Sequence, residues 1–237
     1  MGASGALFHF SLLGAYMFTL YTLGQENPVA KQHAALKNFG RFSARFLTNW
    51  TFMTQTLYLF LSVLGHLLAA VSLSSLKRPI DNLADYIFMS IATPMALVVS
   101  IAFWSIYAVD RELVFPTVLD LVIPAWVNQM IHSINSVAAI VDLVSIRHKQ
   151  PSWSASLTGL ILYLLAYSVC LFGTYVQTGI WLYPVLKEMS WPLRGAFTIA
   201  NLLLAILMLA LTRLLRTSIW GKSDTQEKKK AVKPKKK

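Results

Sequence analysis

A threonine or serine hydroxyl becomes a competent acyl acceptor when a neutral imidazole within hydrogen-bond reach takes its proton. This chain sets both residue types inside long apolar runs. The richest stretch is Pro124-Ala125-Trp126-Val127-Asn128-Gln129-Met130-Ile131-His132-Ser133-Ile134-Asn135-Ser136. At helical spacing Asn128, His132, Asn135 and Asp142 share one face, with Gln129 and Ser136 beside them. An unsatisfied polar group in hydrocarbon costs several kcal/mol, so this face must look into a helix bundle or a wet cavity. A purely structural role, helices joined by amide hydrogen bonds averaging under about 1 kcal/mol each, competes with a functional one. The ionisable groups on the face favour function.

The candidate hydroxyls lie on Thr48 and Thr51, on a line with Gln55 that prolongs a basic stripe through Arg41 and Arg45. Bonding of those hydroxyls to their own helix backbone is the plainer reading. Depth narrows the choice of histidine. His66 falls roughly 27 Å along the helix from Thr48, near the opposite surface, and His9 and His148 belong towards the cytoplasmic side. His132 then lies well inside the bilayer. The spans carrying Thr48 and His132 run in the same direction, so the two can meet if the Thr48 helix begins before Arg45. Asp142 lies roughly 15 Å from His132 along the axis, whereas Asn128 is one turn away, so an amide is the expected orienting partner.

Other chemistries lack their residues. There is no Gly-rich phosphate loop, no His-Glu-x-x-His and no cluster at metal-ligand spacing, so neither a metal nor a cofactor is expected. The single cysteine, Cys170, sits in an apolar run, which excludes an intrachain disulfide and a Cys-based metal site.

The elements that must position these residues follow from composition. With 237 residues, 56% hydrophobic and 13% charged, the chain is too apolar for a soluble domain. A span needs about 20 predominantly apolar residues, and about six such stretches occur, over 6–23, 46–73, 86–108, 121–145, 157–180 and 193–211. The expected architecture is an all-α polytopic membrane bundle of about six transmembrane helices with short loops (1–221), followed by a basic disordered cytoplasmic tail (222–237). The first span lacks the basic flank of a signal peptide and is expected to remain. Residues 31–45 read as an amphipathic interfacial helix, and 113–120 as a re-entrant or interfacial segment. The third span follows a polar connection, and Pro94 is expected to kink it. Asp110-Arg111-Glu112 reads as a turn that neutralises itself. His148 is expected at headgroup level, and Trp181-Leu182-Tyr183-Pro184 at the membrane boundary. A net charge of +11 would signal nucleic acid in a soluble protein. Here it sits near span ends and in the tail, so the expected partners are membrane lipids and nucleic acid is not expected. Most of the basic residues fall on the side that holds both termini, which places both in the cytoplasm, and the tail dominates that balance. Lys233 and Lys235 resemble a dilysine endoplasmic-reticulum retrieval signal, so the expected membrane is endomembrane or plasma membrane.

Three runs also resemble the androgen-induced protein family: Tyr107-Ala108-Val109-Asp110-Arg111-Glu112-Leu113-Val114-Phe115-Pro116, Pro124-Ala125-Trp126-Val127-Asn128 with His132, and Trp181-Leu182-Tyr183-Pro184. The resemblance covers nearly the whole chain outside the tail. It implies a multi-pass threonine hydrolase that cleaves fatty acid esters of hydroxy fatty acids, with Thr48 as nucleophile and His132 as base. Thr51 and Thr54 stand close to the implied nucleophile. Such esters carry a free carboxylate, which Arg45, one turn from Thr48, is expected to dock, with Asn128 and Asn135 completing the substrate-binding set. The competing readings are a non-enzymatic lipid-binding or regulatory membrane protein and an intramembrane acyltransferase.

Overall fold

A computed structural model of the chain describes residues 3–25, 28–31 and 34–232, with side chains at all of these except 30–31, 34–35 and 224–232. Among the described residues there is no strand. The long helices are α1 (Ala3–Leu23), α3 (Leu47–Ala70), α4 (Ser74–Val109), α5 (125–145), α6 (Trp153–Thr178) and α8 (Trp191–Val232), with α2 (Ala34–Phe42) and α7 (Pro184–Glu188) as short helices between them. Five of them, α1, α3, α4, α6 and α8, are long and apolar enough to cross a membrane. Helix α5 coincides with the expected fourth span but carries the polar face, which lowers its hydropathy.

The bundle exposes large apolar side chains and buries a set of polar ones. Val169 and Val176 of α6 are 74% and 81% exposed, whereas His9, Thr51 and Asn135 are wholly buried. That inversion suits a hydrocarbon surround, where a polar group needs a partner and an apolar side chain does not. Helix α4 contributes to each of three packed clusters: with α1, α3 and α5; with α2 and the 114–123 segment; and with α6 and α8.

Helix boundaries have local causes. Ser152 caps α6 by accepting from the Ala155 amide, and Gly179 ends it in the left-handed conformation (φ 69°) that a Cβ disfavours. Helix α5 begins directly after Pro124, later than expected at 121, because Pro116 and Pro124 break the apolar run into short 3-10 turns. The expected polar connection before the third span is instead helical from Ser74, where Lys77 pairs with Asp81 one turn on. At Pro94 the chain widens, and the Thr93 amide bonds Phe88 O five residues back, a π turn that absorbs the missing proline donor. Arg111 is neutralised by Asp120, at 2.9 and 3.0 Å, rather than within its own triplet. The last helix continues through Val232, past the expected end at 211 and into the segment expected to be disordered. Glu26 and Asn27, expected in the turn after α1, and the retrieval-like Lys233 and Lys235 lie outside the described residues.

Helices α3 and α5 run parallel and in register. Thr48 meets His132 and Tyr58 meets Asp142 at the same separation of 84 residues, with Gln55 donating to the Asn135 carbonyl between them. At the far end from Thr48, Asp142 accepts from Tyr58 (2.6 Å), from His9 (3.2 Å) and from His148 (3.2 Å). His148, expected at headgroup level, is only 1% exposed and also bonds Asp85 through Nδ1 at 2.9 Å. Both of its ring nitrogens face carboxylates, the arrangement an imidazolium satisfies. Burial lowers its pKa, but the bonds and charges of Asp142 and Asp85 outweigh it and raise the value to about 9. Because this lies above the unfolded value of 6.5, the stabilisation is complete below that pH and is lost as pH rises through about 9. Thermal melts in mild detergent are therefore expected to fall progressively across that window in the wild type. A His148→Gln variant should show a flatter profile, and an equal fall in both would assign it to another group.

Candidate active site

Thr48 sits in the first turn of α3. The chain enters through Phe46 in an extended conformation (φ −74°, ψ 139°), and the Leu47 amide donates to the hydroxyls of Tyr183 (2.9 Å) and Tyr167 (3.2 Å). First-turn amides have no acceptor within their own helix, so these phenols act as its cap. The Asn49 side-chain Nδ2 donates to the Ser43 carbonyl at 2.6 Å, fixing the bend on the other side.

His132 lies in a second π turn, Met130–Ile134, where the Asn135 amide reaches back to Met130 O. Wide turns of this kind occur often at functional sites. Here the turn leaves the His132 carbonyl to accept from Ser100 Oγ (2.6 Å) and Trp104 Nε1 (3.2 Å) of α4. The imidazole stacks on Phe103 with centroids 3.5 Å apart and planes 11° from parallel. Backbone carbonyl and ring face are thus both held by α4.

The remaining contacts set the tautomer. His132 Nδ1 faces two oxygens, Asn128 Oδ1 at 2.8 Å and the Asn128 carbonyl at 3.2 Å. A backbone carbonyl can only accept, so Nδ1 carries the hydrogen. In the neutral ring Nε2 is then the acceptor, and it lies 3.2 Å from Thr48 Oγ1, whose O–H donates to it. A hydroxyl, an imidazole and an orienting amide stand in line.

Thr48 and His132 share the wall of a cavity of about 460 Å³ built from α2, α4, the 114–123 segment, α6 and α8. Its lining is mostly apolar, with Phe39, Ile106, Phe115, Leu171 and Phe197 among the large side chains, and among the described residues no Asp, Glu, Lys or Arg belongs to it. A volume within about 300–1,000 Å³ and few polar groups are typical of a site for an apolar ligand.

The other expected residues lie elsewhere. Arg45 does not line the cavity. It sits in a 3-10 turn before Phe46, off the helix that carries Thr48, so the stripe expected from three-residue spacing is broken at the bend. Its guanidinium bonds Thr174 on α6 at 3.0 Å and lies 5.2 Å from the Phe42 ring. Asn128 holds His132. Asn135 is wholly buried, outside the cavity lining, with its Oδ1 on the Ser136 amide. Thr54 bonds its own helix at the Trp50 carbonyl, and Thr51 is wholly buried, its hydroxyl without a hydrogen-bond partner among the described residues. Thr48 escapes such self-bonding because the residue four before it precedes the helix. Tyr167 and Tyr183 were not expected at this site, although Tyr183 belongs to a motif the sequence had marked.

The fold and site define a polytopic helical membrane protein with a Thr–His pair on the wall of a mostly apolar cavity. Residues 4–216 match the FAR-17a/AIG1-like protein family, to which the chain belongs. Curated relatives include the human androgen-dependent TFPI-regulating protein, 29% identical over 79% of this chain and 80% of that protein, and its rat counterpart, 32% identical over 78% and 79%. The human androgen-induced gene 1 protein is 29% identical over 79% of this chain and 82% of its own length. No solved structure matches the chain.

Proposed function

We propose that this protein is an intramembrane hydrolase of fatty acid esters of hydroxy fatty acids, with Thr48 as nucleophile and His132 as general base. The observation that carries the reading is the 3.2 Å approach of Thr48 Oγ1 to His132 Nε2 at the wall of a mostly apolar cavity. Thr48 Oγ1 attacks the ester carbonyl carbon as its proton passes to Nε2. The tetrahedral intermediate collapses, the imidazolium protonates the departing hydroxy acid, and the acyl group remains on Thr48. Water, deprotonated by His132, then releases the fatty acid and frees the hydroxyl. Asn128 keeps Nδ1 protonated throughout, so Nε2 always faces the reacting atoms. Phe103 excludes water from one ring face.

The reading is tested by exposing membranes that hold the wild-type protein to a fluorophosphonate probe and to an ester of a hydroxy fatty acid. Labelling at Thr48 with turnover supports it. Neither signal from folded protein moves the assignment to lipid binding, and acyl transfer to an added alcohol without net hydrolysis moves it to an acyltransferase. We place both termini in the cytoplasm of an endomembrane or plasma-membrane protein, which sets the Thr–His pair towards the other leaflet.

Arg45 yields a separate expectation. Since Thr174 holds its guanidinium, Arg45→Gln is expected to change the KM for free-acid esters and their methyl esters alike. A rise confined to the free acids would make Arg45 the carboxylate dock.

A further inference from the structure

The phenols of Tyr167 and Tyr183 meet at the start of α3. Each accepts from the Leu47 amide, at 3.2 and 2.9 Å, and their oxygens lie 3.0 Å apart. The pair carries two hydroxyl hydrogens. One makes the bond between the phenols, and the other has no acceptor among the described residues. Tyr167 is 6% exposed, and a buried hydroxyl hydrogen without an acceptor is destabilising, so a ligand oxygen would relieve it.

The pair points to where such an oxygen sits. Both tyrosines line the cavity with Thr48 and His132, and the amide they cap belongs to the residue just before Thr48. Other hydroxyls of the wall are committed to their own helices: Ser168 donates to Leu164 O and Thr198 to Arg194 O. The phenol rings are held by aromatic edges, Tyr183 against Phe46 (5.3 Å, 88°) and Tyr167 against Trp50 (5.6 Å, 74°). A donor fixed in advance, in a site of low polarity, is what stabilises charge that develops on an oxygen. The bond each phenol oxygen receives from the Leu47 amide also polarises its O–H and strengthens it as a donor.

We propose that the Tyr167–Tyr183 pair donates the hydrogen bond that stabilises the oxyanion when Thr48 attacks an ester carbonyl. This rests on the hydrolase reading above. As Thr48 Oγ1 bonds the carbonyl carbon, the C=O pair moves onto oxygen, the Thr48 proton goes to His132 Nε2, and the free phenol O–H bonds the new O⁻ without giving up its proton. Either phenol can serve, because a hydrogen bound between the two in the resting pair is released when its partner is removed.

The test compares kcat/KM for an oxo ester and its thiono counterpart in the full-length protein. Sulfur is a poor hydrogen-bond acceptor, so a donor to the oxyanion makes the enzyme prefer the oxo ester, whereas damage to folding lowers both rates together. Tyr167→Phe and Tyr183→Phe each retain one phenol and should keep most of that preference. The double variant should lose about 10²–10³-fold in kcat on the oxo ester, with KM little changed and the preference collapsed. Loss of both esters in proportion, or retention of kcat, overturns the proposal. Should the double variant fail to accumulate, Tyr167→Phe with 3-fluorotyrosine in place of Tyr183 decides the matter. Its more acidic phenol should raise the oxo-to-thiono ratio, and an unchanged ratio overturns the proposal. Failure of the hydrolase reading has a different signature: folded wild type that turns over neither ester, or turnover that survives Thr48→Ala.

Discussion

Thr48→Ala is expected to abolish both fluorophosphonate labelling and turnover, with kcat reduced by about 10³-fold or more, and His132→Ala is expected to do the same. Removing Oγ1 deletes the hydroxyl that stands 3.2 Å from Nε2 and can bond the acyl carbon. Removing the imidazole leaves that hydroxyl protonated at neutral pH. The two groups act as a unit, so the double variant should be no worse than either single one, and multiplication of the two losses would speak against a shared step. Expression and thermal melts should stay near wild type for Thr48→Ala, because the residue is half-buried at a cavity wall. Thr51→Ala and Thr54→Ala should retain turnover, since neither hydroxyl bonds His132. Retained activity in Thr48→Ala with loss in Thr51→Ala would move the nucleophile by one turn.

The largest stability effect is expected at the other end of the same two helices. Asp142 is 1% exposed and gathers Tyr58, His9 and His148 from α3, α1 and the 146–152 connection. Asp142→Ala would leave three buried donors without their acceptor and an imidazolium without one of its two counter-charges. Breaking a buried pair from one side typically destabilises by about 3–5 kcal/mol. The expected result is a large fall in melting temperature and in membrane yield, with kcat per folded molecule near wild type, because Asn128 rather than Asp142 orients His132. A well-folded Asp142→Ala protein that is inactive would instead tie this cluster to the chemistry. His9 and Tyr58 variants should weaken the bundle less, as each removes one donor and leaves the carboxylate partnered.

Several features are legible in the sequence, each for a local reason. Apolar run length located the spans to within a few residues except where proline or a long polar helix intervened. The spacing of Asn128 and His132 foretold an amide one turn from the ring, because i and i+4 side chains on a helix always meet. The parallel direction of α3 and α5, inferred from counting spans, is what lets Thr48 approach His132.

What the sequence by itself determined, then, is a helical membrane bundle, a polar face turned inward and a histidine held by an amide, all consequences of helical periodicity and of the penalty for polar groups in hydrocarbon. Tertiary structure alone decided the partners. The extended residue Phe46 took Arg45 off the helix of Thr48, a bend that no three-residue spacing reports. His9 found Asp142 across 133 residues of chain, and Tyr167 and Tyr183 converged on the Leu47 amide from 120 and 136 residues away. Periodicity states which face of a helix must be satisfied, and only the packing of helices against one another states by what.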